Sequence, residues 1–165
     1  MLIHRNMFLS SILILLTILL AIPRVYAQAS LDDENYAVRR VVLDYTQAMN
    51  EKSVENIITL YTTDGKYIDE SFDGIFFGPD QLRNLYQNIF NRNPRLTFTA
   101  FPWNIEVTGD SAFVTCSWSL VTDYGVYNGV YLINMSSVNG EWKIAKITAY
   151  VTVVHDYHPL YRLIP

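Results

Sequence analysis

The chain has 165 residues, of which half are hydrophobic, 14% aromatic and 17% charged. That length carries one domain with a buried core, and that balance excludes an intrinsically disordered chain. A formal net charge of −4 argues against partners that demand a basic surface, such as a nucleic-acid backbone or an anionic bilayer.

At the amino end, His4 and Arg5 precede a near-continuous apolar run from Met7 to Ile22, closed by Pro23-Arg24-Val25-Tyr26-Ala27. This is the layout of a secretory signal peptide, with small residues placed for cleavage after Ala27. The run is short for a membrane span of about 20 residues, and an uncleaved anchor is the alternative. The expectation is a leader over 1–27 and a single domain over 28–165, secreted or periplasmic and free of the membrane once the leader is removed. Cleavage takes Arg5 and Arg24 away and leaves the domain more acidic. Cys116 is the one cysteine, so no intrachain disulfide can form.

Ser30, followed by Asp32, Asp33 and Glu34, suits a helix start, and Val38, Val41, Val42, Tyr45, Ala48 and Met49 continue at helical spacing to about residue 50. Ser53 opens a shorter helix through Ile57, Ile58, Leu60 and Tyr61, ended by an Asp64-Gly65 turn. A short strand over Lys66 to Asp69 and a loop over Ser71 to Gly78 lead to Pro79. Leu82, Leu85, Tyr86, Ile89 and Phe90 then predict a third helix over 79–91. After Pro94 the period becomes that of strands, at about 95–108, 111–122, 126–137 and 141–154. They are separated by Gly109-Asp110, Asp123-Tyr124-Gly125 and Asn139-Gly140. The order predicts an α+β fold, with three N-terminal helices packed on a strongly curved antiparallel sheet.

Val130 and Leu132 read as one face of their strand and Tyr131, Ile133 and Met135 as the other. With the second trio placed on the outer face, a homodimer is the expected cover. The alternation Ala112, Val114, Cys116, Trp118, Leu120 makes Cys116 a buried, inert thiol. His155-Asp156-Tyr157-His158 offers two imidazoles that need a helix to converge, so no metal and no cofactor is expected. From His155 to Pro165 the chain reads as an apolar, proline-broken tail, expected to cap the pocket or reach a partner chain, the alternative being a disordered tail that docks onto another protein.

Five segments in order resemble the nuclear transport factor 2-like superfamily, the cone fold of ketosteroid isomerase, scytalone dehydratase and SnoaL-like polyketide cyclases. They are Tyr45-Thr-Gln-Ala-Met-Asn50, Leu60-Tyr-Thr-Thr-Asp-Gly65, Gly78-Pro-Asp-Gln-Leu82, Gly109-Asp-Ser-Ala-Phe113 and Asn139-Gly-Glu-Trp-Lys-Ile144. The resemblance to ketosteroid isomerase implies a catalytic set of Asp69 as base, Tyr45 as hydrogen-bond donor to the enolate oxygen, and Asn134 where that enzyme has a protonated acid. Proton abstraction beside a carbonyl needs such a base and such a donor. Tyr67 resembles a strand tyrosine of scytalone dehydratase and, with Trp103 and Trp118, is expected to wall the ligand. The implied function is binding of a small apolar molecule in a central pocket, with isomerase-like or lyase-like acid–base chemistry and no cofactor. The alternative is a non-catalytic binding or dimerisation module.

Overall fold

The computed structural model describes residues 33–71 and 73–156. The chain divides into two units, Met1–Glu34 and Asn35–Pro165, and the second carries the fold described below. The leader, the Ser30 cap and the tail beyond Asp156 lie outside the described residues.

Helix α1 (residues 33–51) is followed by α2 (Val54–Thr59), β1 (Tyr61–Asp69), β2 (Gly74–Phe77) and α3 (Gly78–Arg92). Four strands complete the chain: β3 (Thr97–Thr108), β4 (Ser111–Val121), β5 (Gly125–Val138) and β6 (Glu141–Asp156). The six strands form one curved, unclosed sheet in the order β2-β1-β6-β5-β4-β3. The fold is α+β, as the order of elements predicted.

The expectation of a wholly antiparallel sheet is corrected at one seam, where β1 and β6 run parallel. The chain enters the sheet at β1 and crosses through α3 to the far side. A four-strand meander then returns β6 to the flank of β1, pointing the same way. Two local readings are corrected with it. Asp64-Gly65 is not a turn but a register irregularity within β1, where a side chain on Gly65 would meet the Tyr61 ring at 2.8 Å. The expected loop before α3 contains β2, whose Ile75 and Phe76 pair with Ile68 and Tyr67. Ser53 precedes α2 without a side-chain capping bond.

Local chemistry explains α3 well. Pro79 occupies its first turn, the Gln81 side chain accepts the Phe77 N–H at 2.9 Å, and Leu82, Tyr86 and Phe90 are buried at successive turns. Helix α1 is fastened to β3 by polar bonds. Asn50 donates to the Phe98 carbonyl and accepts from the Phe98 N–H, both at 2.8 Å, and Arg39 donates to the Pro102 carbonyl at 3.2 Å.

Hairpin register decides which residues face the helices. Val114, Cys116 and Trp118 point inward, and their partners on β5 are Ile133, Tyr131 and Gly129. Tyr131, Ile133 and Met135 therefore lie in the core, with Ile133 only 2% exposed, and the prediction that they form the outer face is corrected. Partners across a ladder share a face, so the inward side of β4 fixes the inward side of β5. His155 and Asp156, expected in the tail, are the last residues of β6, paired with Val126 and Gly125.

Register shifts between Pro102 and Asn104 and between Asn128 and Gly129 bend the sheet. At the second shift the Trp118 indole lies across Gly129. An added Cβ there would sit 1.9 Å from the Tyr150 carbonyl oxygen and 2.6 Å from the indole. Gly129→Ala should therefore destabilise the domain by about 2 kcal/mol or more, because the obstacle is main chain and cannot rotate away. Urea unfolding of the two proteins measures this, and an unchanged midpoint would contradict the packing described.

Candidate functional site

Between the helices and the concave face of the sheet is a cavity of about 490 Å³. Its inner part is aromatic, with Tyr45 from α1, Tyr86 from α3, Phe98 from β3, Trp118 from β4 and Tyr131 from β5. Most of these rings meet edge to face, as Tyr45 does with Tyr86, Phe98 and Tyr131 at centroid distances of 6.1, 5.8 and 6.4 Å. Trp118 instead stacks on Tyr131 at 5.2 Å.

The phenol oxygens join into a network. Tyr86 is fully buried, and its hydroxyl lies 2.6 Å from that of Tyr61 and 3.1 Å from that of Tyr45. The Tyr131 ring packs edge to face against those of Tyr45 and Tyr67, at centroid distances of 6.4 and 6.3 Å. Burial pushes all five phenols up from their ordinary value of 10.0, and the proximity of other phenols adds to that in each of them. The network is consequently neutral at working pH, a set of O–H donors and acceptors without charge. The Trp118 Nε1–H is buried with no hydrogen-bond partner among the described residues.

Asp69 ends β1 and lines the same cavity, half-buried, and it accepts the Ser71 N–H at 3.0 Å. Alternation along β1 puts Tyr67 and Asp69 on one side, as the sequence implied. Of the sequence-predicted residues, Tyr45, Tyr67, Asp69 and Trp118 are thus brought to one cavity. Two are not. Asn134 lies between the buried Ile133 and Met135, so it faces the convex side of the sheet, away from Tyr131. Trp103 follows the inward Phe98, Ala100 and Pro102 at the opposite parity and is 61% exposed, so strand alternation points it out of the cavity.

Tyr61, Tyr86 and Tyr131 were not singled out as site residues in the sequence. The register of the β4–β5 hairpin contained the signal for Tyr131, since its partner Cys116 belongs to the inward alternation. Cys116 is buried as expected, and burial pushes its thiol up to about 12. Around the mouth stand Leu85, Asn88, Ile89 and Arg92 of α3 and Asn93 just beyond it, with Thr122 and Tyr127 across from them on the sheet side. Among the described residues no group of three metal-ligating side chains occurs, and no helix is long and apolar enough to cross a membrane.

Helices folded over a curved sheet around an aromatic cavity define a class of small α+β pocket domains. Within that class this chain belongs to the SnoaL-like domain family, whose model matches residues 30–148, and so to the nuclear transport factor 2-like superfamily. No protein of curated function matches the sequence. Among solved structures the chain is similar to a protein assigned as a scytalone dehydratase from Novosphingobium aromaticivorans. The TM-score is 0.72 at 20% identity, over 79% of this chain and 92% of that one. It is also similar to the hexachlorocyclohexane dehydrochlorinase LinA-type3 of Novosphingobium barchaimii, with a TM-score of 0.69 at 14% identity over 81% and 96%. A ketosteroid isomerase-like protein from Erwinia carotovora atroseptica matches with a TM-score of 0.62 at 16% identity over 73% and 97%. At these identities the likeness shows the fold.

The tyrosine network has a consequence for alkaline stability. Unfolded tyrosines ionise near pH 10, whereas the folded ones hold their protons well above it. The stability gained by burying neutral phenols is therefore fully present below about pH 10 and is lost as pH climbs from there toward the folded values. Urea midpoints should hold steady up to about pH 9 and drop by about pH 11, with Tyr86→Phe already lower at neutral pH by about 1–3 kcal/mol. A flat profile through about pH 11 would contradict a buried network.

Proposed function

We propose that this domain binds a small hydrophobic carbonyl compound in its cavity and performs acid–base chemistry on it, of the isomerase or lyase type. The observation that carries the reading is that a carboxylate, Asp69, shares an aromatic cavity with a network of neutral phenols reached through Tyr45. Asp69 removes a proton from the carbon beside the carbonyl. The C–H electron pair forms a carbon–carbon double bond, and the carbonyl oxygen takes the negative charge. A phenol O–H, from Tyr45 or Tyr131, stabilises that oxygen, and low dielectric around it strengthens the bond. Returning the proton to a different carbon completes an isomerisation, and expelling a group from the neighbouring carbon completes an elimination. Structural neighbours named as a dehydratase, a dehydrochlorinase and an isomerase-like protein support this class. Asn134 has no part in it, and the phenols take its place as donors.

A second reading, binding without turnover, is favoured by one feature: the Tyr45 hydroxyl is already engaged by Tyr86. One experiment separates the two. With 2-tetralone as a probe in deuterated water, the domain should accelerate exchange of the protons beside the carbonyl, followed by NMR. Asp69→Asn should cut that acceleration at least about a hundredfold while leaving probe affinity within a few-fold. Equal exchange rates in both proteins would remove Asp69 as the base and leave the binding module.

Two further expectations belong to the same reading. The leader composition supports a secreted or periplasmic protein. On the convex side, Ile75, Phe101 and Tyr150 are exposed beside half-buried Val130 and Leu132, which supports a homodimer closed face to face. Light scattering at micromolar concentration should give twice the mass of the cleaved chain, and Tyr150→Glu should shift it to one. A monomeric mass for the unsubstituted protein would refute the dimer.

A further inference from the structure

We infer that the ligand of this cavity carries a carboxylate on its apolar ring body, and that Arg92 is the residue that recognises it. The inference rests on the cavity being a binding site, as proposed above, and adds the chemical class of what binds.

Arg92 is the last residue of α3 and lines the mouth. Four other arginines of the described residues are engaged: Arg39 with the Pro102 carbonyl, Arg40 with Asp44, Arg83 with Glu55 and Asp80, and Arg95 with Asp123. Arg92 has no ion pair or hydrogen bond to a side chain among the described residues. Helix capping does not account for it either. Asn93 closes that helix end, its side chain donating to the Ile89 carbonyl at 2.8 Å and its N–H to the same oxygen at 3.0 Å. A guanidinium whose five donors meet no partner among the described residues, set on the rim of an aromatic cavity, matches a planar carboxylate.

The arrangement also assigns the ligand's orientation. Asp69 stands on the sheet wall, where an anionic group would be repelled, while Arg92 stands on the helix wall. An amphiphile with rings inward and a carboxylate outward at α3 satisfies both. It keeps the charged group near water, so little desolvation opposes its ion pair. The phenols on the floor, being neutral donors and acceptors, leave the ring body free to carry a carbonyl or hydroxyl at its far end.

Isothermal titration with 2-naphthoate and its uncharged methyl ester at neutral pH tests the assignment. The unsubstituted protein should bind the acid roughly tenfold more tightly than the ester. Arg92→Gln should erase that preference and leave ester affinity unchanged, and Arg92→Lys should keep part of it. Added salt should weaken the acid and spare the ester. If the ester binds and the acid gains nothing from Arg92, the carboxylate assignment is overturned and the cavity reading survives. If neither probe binds at millimolar concentration, both fall together.

Discussion

A hydroxyl taken out of water must find another partner, and in this domain Tyr45, Tyr61 and Tyr86 meet that demand from one another. Tyr86 is the hub, bonded on one side to Tyr61 of β1 and on the other to Tyr45 of α1. Apolar packing alone would let a helix slide or rotate by small amounts at little cost. Phenol pairs are directional, and a missed bond strands a buried oxygen at roughly 1–3 kcal/mol. The network therefore sets how α1 and α3 lie against the sheet, and with them the floor of the cavity.

Above that floor the walls change character. Rings packed edge to face cannot close the space that a bent sheet opens, and the bends come from register shifts at Trp103 and Gly129. Gly129 contributes by being small: the Trp118 indole lies where a side chain would have been and stacks on Tyr131. The result is a gradient from neutral polar phenols, through apolar ring faces, to a charged and amide-rich rim at Asn88, Arg92 and Asn93. Such a gradient discriminates by orientation as well as by size.

What the sequence made legible was local. The stripe through Leu82, Tyr86 and Phe90 and the four late strands could be read because their periodicity spans neighbouring residues. The parallel seam between β1 and β6 joins segments at opposite ends of the domain, and no local pattern encodes it. Parity was the other obstacle. β5 is apolar on successive residues, so only its pairing with β4 reveals that Tyr131 faces in and Asn134 faces out. Beyond Trp103 a single inserted residue reverses the alternation of β3, so that Ile105 and Val107 take the inward side. Tyr45, Tyr67 and Asp69 were found because they sit in a helix and a strand whose resemblance runs without gaps. Tyr86 was visible too, but as one more member of an apolar stripe, since nothing in a stripe shows that a hydroxyl will become a hub.

The Asn50 amide, paired with both polar groups of Phe98, bears on how copies of the chain can meet. A sheet recruits foreign strands through bare N–H and C=O groups along its outermost strand, which is the usual route to fibrils and swapped oligomers. On β3 a side chain from α1 occupies two of those groups and Arg39 a third, so an incoming strand would have to displace a helix. At the opposite margin β2 offers only four residues, too few for a template of any length. Self-recognition is thereby steered, along that part of the β3 edge, from the backbone to side chains, where it can be selective.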